Sequence, residues 1–463
     1  FLMVFIQNEK ILKIIGDRLT VRTSEKEQYG EVFTPPELIC EMLDTLPDSV
    51  WSNKHLRWLD PANGIGNFPV IVYYKLMEGL KKEKELSDDK TRSKYIIEKM
   101  LFMVELNPVN VKVSKKIFRM LDSTAEPNIV KANFLTESPK WKRELKRDTF
   151  DIVMGNPPYN EGGIRANSTE NVKRGEGKTL WVEFDKKSLS ILRDENSYLL
   201  FIHPASWISL KSNNAKVLLD NQIIKLRYYN YSDAHSLFQN KSGKIPITYY
   251  LIQNKKTKNS TLIYDNAYEK FMEFNIYENE FIPTESIEMM TQIYSYTKTK
   301  DNYKSVSNSS FKKDSYSQSH PFPLVNISKK EIIINYTNSN KLDNLDKKLL
   351  LPNAAMGYPL LDTRGIIYPY NAHGHIIVSN NNLHQLKQLQ NYLFCNLIFY
   401  IIVITKTSMR FLDNKVFQIL PNVTNLTTEI DITDDFLIKK IFKLDDKLLK
   451  GYFEYLKSGE GRL

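Results

Sequence analysis

Four consecutive residues, Asn156, Pro157, Pro158 and Tyr159, follow directly on an apolar run in "DIVMGNPPYN". Two prolines in a row fix φ and hold the chain rigid. The Asn156 side-chain carbonyl and the Pro157 backbone carbonyl are then two acceptors in a set geometry. Such a pair suits the N6 amine of adenine, a poor nucleophile because its lone pair is delocalised into the ring. Accepting both N–H hydrogens would favour a tetrahedral nitrogen whose lone pair faces an electrophilic carbon. Tyr159 supplies a flat face for stacking a base, and a base inside a duplex would first have to be swung out. The plain alternative is a proline-stiffened loop with no chemistry.

Upstream, "WLDPANGIGNF" places Gly64 and Gly66 in a turn between a strand pattern and a helical one. Glycines there would let a ligand approach the backbone closely. No Lys-Ser or Lys-Thr pair follows, so this is not the phosphate loop of a triphosphatase. Asp60 before the turn would repel a pyrophosphate but suit an ammonium or sulfonium group. Glu105 ends the next strand in "FMVELNP", where a carboxylate can accept from both ribose hydroxyls. Each feature alone also reads as an ordinary turn or a solvated carboxylate. Together they describe a pocket for an adenosine with a cationic tail, which is S-adenosylmethionine. No metal is called for.

These residues need a frame. Strand patterns end at Asp60, Glu105, near Val130 and at Asn156, and continue in "SYLLFIHP", "IIKLRYYNY" and "IPITYYLIQN". Helical spacing fills the intervals, including Pro36 to Leu46, Pro69 to Gly79 and Leu180 to Leu192. Alternation of this kind predicts an α/β fold, a parallel sheet covered on both faces, with ligands at the carboxyl ends of its strands. Asp60, Glu105, Asn133 and Asn156 all fall at such ends. Residues 160–178 and 298–320 read as polar loops. Past about residue 265 the alternation fades, which divides the chain into 1–262 and 263–463.

Lys and Arg total 64 against 54 Asp and Glu, a net charge of +10. That balance fits either a solvated basic surface or a polyanionic partner. Two cysteines, Cys40 and Cys395, give no disulfide framework and suit a reducing compartment. Gln7, Asn8 and Glu9 interrupt the apolar start, so no signal peptide is expected. The apolar run Tyr392 to Thr405, with Asn396 inside it, falls short of the roughly 20 residues a bilayer requires and reads as buried core. No membrane partner is expected.

In this order the motifs resemble those of the gamma-class DNA N6-adenine methyltransferases, including the enzymes of restriction–modification systems. The resemblance is strong over about residues 28 to 255 and looser in the tail. "YGEVFTPPELICEML" is similar to the motif that closes over the methionine end of the cofactor, with Thr34 and Pro35 as its contacts. "LDPANGIGNF" brings Asp60, Ala62, Gly64 and Gly66, and "VELNP" brings Glu105. In "KANFL", Asn133 and Phe134 would hold the cofactor adenine. Asn133 stands where the family has Asp, and its oxygen could still accept from the cofactor N6. "NPPY" is the catalytic motif, "LWVEFDKKSL" places Phe184 near the cofactor, and "LFQNKSGKIPITYYLI" places Phe238 against the flipped base.

The resemblance implies a Rossmann-like class I methyltransferase sheet with helices on both faces, followed by a C-terminal α+β target-recognition domain. It implies S-adenosylmethionine as cofactor and double-stranded DNA as partner, with a cognate restriction endonuclease as a further one. It also implies a cytoplasmic, nucleoid-associated setting or the host compartment of a virus. In the tail, a helix, a loop and a strand leading to "LP" follow the family pattern, and Lys406, Thr407, Ser408 and Arg410 could contact phosphates or base edges. Three rivals stay open: an RNA or protein-glutamine N-methyltransferase, a bifunctional nuclease–methylase, and a non-catalytic DNA-binding subunit of the same fold. Because the cofactor motif begins at Tyr29, a nuclease domain ahead of it is not expected.

Overall fold

The structure is a computed structural model describing residues 34–160, 179–210, 212–238, 245–297, 306–307, 317–319, 322–327, 332–337, 347–352, 359–365, 367–369, 374–379, 382–405, 420 and 435–458. The chain divides into two compact units, residues 1–207 with 211–262, and residues 208–210 with 263–463.

In the first unit the strands are β1 (Trp58–Asp60), β2 (Leu101–Glu105), β3 (Asn128–Lys131), β4 (Ile152–Gly155), β5 (Tyr198–Pro204), β6 (Gln222–Tyr229) and β7 (Ile247–Gln253). The helices are α1 (Pro36–Leu43), α2 (Asn67–Gly79), α3 (Asp89–Tyr95), α4 (Pro108–Leu121), α5 (Ser138–Leu145), α6 (Leu180–Ser190), α7 (Asn213–Leu219) and α8 (Tyr231–Leu237). The strands lie in the order β3-β2-β1-β4-β5-β7-β6. From β3 through β5 every pairing is parallel. β7 runs antiparallel to both β5 and β6. Apolar alternation carries no strand direction, so that reversal is invisible in the sequence pattern.

β1, β2 and β4 are buried along their whole length, which is why they read as continuous apolar runs. Helix starts follow local chemistry. The Asn107 side chain accepts from Val109 N–H and Pro108 opens α4; Asp88 accepts from Thr91 N–H at the start of α3. Trp58, Trp141 and Trp207 are fully buried. The chain winds outward from β1 to β2 and β3, then returns to the other side of β1 as β4. The switch point therefore lies between β1 and β4, where ligands of open α/β sheets bind beyond the strand ends.

The second unit is α+β. Strands Val306–Ser307, Gly374–Ser379, Lys348–Pro352 and Leu360–Asp362 form one sheet, and Ile332–Thr337, Phe322–Ile327 and Tyr368–Pro369 another. The apolar run of the tail forms the helix Asn396–Ile404, buried at Leu397 through Ile402 and at Ile404. It follows the helix Leu383–Phe394, and Cys395 between them leaves helical geometry with ψ 134°. Two further helices span Asp435–Phe442 and Lys450–Lys457. Among the described residues no helix is long and apolar enough to cross a membrane. Lys406, Thr407, Ser408 and Arg410, and the strand expected after them, lie outside the described residues, as do 161–178 and much of 298–320.

Candidate active site

Asp60 is the last residue of β1, Glu105 the last of β2, and Asn156 the first beyond β4. The parallel register pairs Asp60 with Met103 and Glu105 with Lys131, so these ends share one edge of the sheet. Asp60 is 1% exposed and accepts from Ala62 N–H at 3.0 Å. Burial, with Glu105 adding repulsion, pushes its carboxyl up to about 8. A carboxylate so placed favours a cation. Gly155 makes room for it. Its φ is +151°, and a Cβ there would sit 2.9 Å from Asp60 Oδ1.

The glycine turn is built over Glu105. Gly64 N–H donates to Glu105 Oε2 at 2.6 Å and Asn107 N–H to Oε1 at 2.6 Å. Asn63 N–H donates to the Val104 carbonyl at 3.1 Å. Its side-chain Nδ2 donates to Gly64 O and to Ser114 Oγ, each at 3.0 Å. Gly64 has φ +58°, and a Cβ there would meet nothing within 4 Å, so open space lies over the turn. Gly66, at φ +101°, is more closely packed: a Cβ would press on Ser114 Oγ at 3.0 Å. Asn63 is a contributor that the motif reading passed over, although it stands inside "ANGIG".

Past β3, Asn133 is half-buried, and its Oδ1 accepts from Leu135 N–H at 3.0 Å and Thr136 N–H at 3.2 Å. The backbone thus engages the oxygen that was expected to read the cofactor N6. Turning the amide over would set Nδ2 against two N–H donors, so the end left for a ligand is a donor. Phe134 and Phe184 do come together, with ring centroids 5.5 Å apart at 22°. Trp141 also stacks on Phe134 at 5.4 Å, and Phe134 is 2% exposed. Its ring therefore builds the wall of the site instead of presenting an open face. Phe184 is held through its neighbour Asp185, which accepts from Tyr250 OH at 2.5 Å. His203 lies 2.9 Å from the same hydroxyl and donates from Nδ1 to the Pro204 carbonyl.

At the NPPY segment, Pro157 is buried while Asn156, Pro158 and Tyr159 are half-buried. Asn156 Nδ2 donates to Thr34 Oγ1 at 3.0 Å, which brings the first motif and the NPPY motif together. Pro35 sits at the start of α1 beside it. Tyr159 turns its hydroxyl inward, and burial raises that phenol while the Asn156 side chain opposes the shift. The Tyr159 carbonyl accepts from Leu180 N–H, and Asn160 bridges Thr179, so the end of the NPPY segment lies against the start of α6. Phe238, expected against a flipped base, is 3% exposed here and belongs to the apolar core cluster that also holds Tyr229, Ala234 and Ile247. In this structure it offers no open ring to a base.

Known proteins are similar to parts of this chain. Residues 80–238 match the family model of the Eco57I restriction-modification methylase. An uncharacterized adenine-specific methylase of Mycoplasma pneumoniae (strain ATCC 29342 / M129 / Subtype 1) is 25% identical, over 48% of this chain and 67% of its own. Among solved structures, the Type IIL restriction-modification enzyme MmeI in complex with DNA is similar in fold. Its TM-score is 0.51 at 13% identity, with 86% of this chain and 68% of that one covered. The fold is of the class I methyltransferase type, and residues 80–238 are similar to the restriction-modification methylases that the Eco57I model describes.

Proposed function

We propose that the chain is a site-specific DNA methyltransferase that transfers a methyl group from S-adenosylmethionine to N6 of an adenine swung out of the duplex. The observation that carries this reading is the placement of Asn156 at the lip of β4, one residue from the glycine whose missing Cβ makes room for the buried Asp60 carboxylate. The donor set fits the cofactor: open space over Gly64, a cation-seeking carboxylate at Asp60, and the Glu105 carboxylate beneath the same turn. Thr34, Pro35, Ala62, Gly66, Asn133 and Phe184 would complete its surroundings, with Phe134 behind them. When bound, the cofactor supplies an electrophilic methyl carbon on a sulfonium.

The chain's own residues do the rest. Asn156 Oδ1 and the Pro157 carbonyl accept the two N6 hydrogens, concentrate electron density on nitrogen and stabilise the positive charge that develops there. Tyr159 stacks the base. The adenine specificity of the Mycoplasma relative and the DNA bound by MmeI support adenine in DNA as substrate. The net charge of +10 is in keeping with a polyanion. The second unit would read the target sequence, with Lys406 and Arg410 among its DNA contacts, and a restriction endonuclease would be the cognate partner.

Labelled-methyl transfer assays on DNA, RNA and protein separate this reading from its rivals. Label should appear in DNA as N6-methyladenine. Asn156→Ala should lower transfer about a hundredfold or more while leaving cofactor binding largely intact. Label confined to RNA or protein, or full turnover by Asn156→Ala, would contradict it.

A further inference from the structure

An amide side chain has a donor end and an acceptor end, and only the acceptor end can help an amine react. Asn156 therefore needs more than a place at the strand lip; it needs an orientation. The structure assigns that task to Thr34: we propose that its hydroxyl is a positioning group that holds the Asn156 amide by Nδ2 and so turns Oδ1 toward the target amine. This rests on the function proposed above and deepens it. The contact is 3.0 Å and spans 122 residues of sequence. Thr34 is 3% exposed, so water competes poorly for that hydroxyl.

The hydroxyl is itself fixed in space. The Thr34 carbonyl accepts from Asn67 Nδ2 at 3.5 Å, which ties it to the first turn of α2. Two residues on, Thr34's segment enters α1, and one oxygen of Glu41 in that helix takes three donors. Tyr229 OH donates at 2.7 Å, Tyr249 OH at 2.8 Å and Arg227 NH1 at 2.5 Å. Those donors stand on β6 and β7, so α1 is fastened to the sheet. A hydroxyl on a segment tied to α2 and running into a fastened helix can hold its partner in place; a hydroxyl on a loose segment could not. Contact with the cofactor alone, as the motif resemblance implies for Thr34, would leave the Asn156 orientation to chance.

The two roles separate in the kinetics. Thr34→Val keeps the shape and deletes the hydroxyl; Thr34→Ser keeps the hydroxyl and deletes the methyl. With cofactor saturating, Thr34→Val should lower kcat about tenfold or more, with the KM for DNA within about twofold of wild type. Thr34→Ser should return kcat to within about threefold of wild type. Matching thermal unfolding of both variants checks that folding is kept. A Thr34→Val enzyme with wild-type kcat, or one that loses cofactor affinity at unchanged kcat, would overturn the positioning role. If the wild-type protein places no methyl on DNA adenine, the proposed function falls and this inference falls with it. If it does, only the ratio between variants decides here.

Discussion

Asp60 is a carboxyl at the strand lip whose ionised form burial opposes. In the folded chain its carboxyl keeps its proton up to about 8, against 3.8 for the unperturbed group. Between those values the folded state holds a proton that the unfolded state has released, so stability from this group falls as pH rises through that window. A bound cation prefers the ionised form. Cofactor affinity measured by calorimetry should therefore rise with pH up to about 8 and level off above it; a flat profile would separate Asp60 from the cofactor. Gly155→Ala tests the same spot by shape, since the new methyl would sit 2.9 Å from Asp60 Oδ1 at a φ of +151°. Weaker cofactor binding, about tenfold or more, is expected in titration. At this scale the sequence was legible where chemistry and strand ends coincide, as at Asp60, Glu105 and Asn156. Orientation was not legible: nothing in "KANFL" tells that two backbone N–H groups claim the Asn133 oxygen.

At the scale of elements, strands showed through because both faces of the central sheet are buried, which leaves unbroken apolar runs. Long-range fastening did not show. Glu41 meets Tyr229 and Tyr249 across 188 and 208 residues, and as a lone carboxylate on a helix it looks like any solvated side chain. Glu41→Ala would remove the shared acceptor of three donors. Denaturant unfolding should then report a loss of about 1–3 kcal/mol, and turnover should fall as Thr34 loses its support. Unchanged stability would mean that α1 is held by packing alone. Phe238 marks the opposite limit: an aromatic beside a polar loop can face a ligand or the core, and the apolar cluster it joins is assembled from distant parts of the chain.

At the scale of the whole molecule, the parallel half of the sheet makes one switch point, and the residues able to do chemistry gather at its lip. A reversed β7 lies between β5 and β6 in the first unit, and an α+β unit follows it in sequence. Such a molecule should leave its mark on the host genome. Single-molecule sequencing of DNA from a methylation-deficient strain expressing the chain tests the central claim most directly. N6-methyladenine should appear at one recurring sequence context and vanish in the Asn156→Ala strain. An unmodified genome under full expression, or modification of a base other than adenine, would contradict the account.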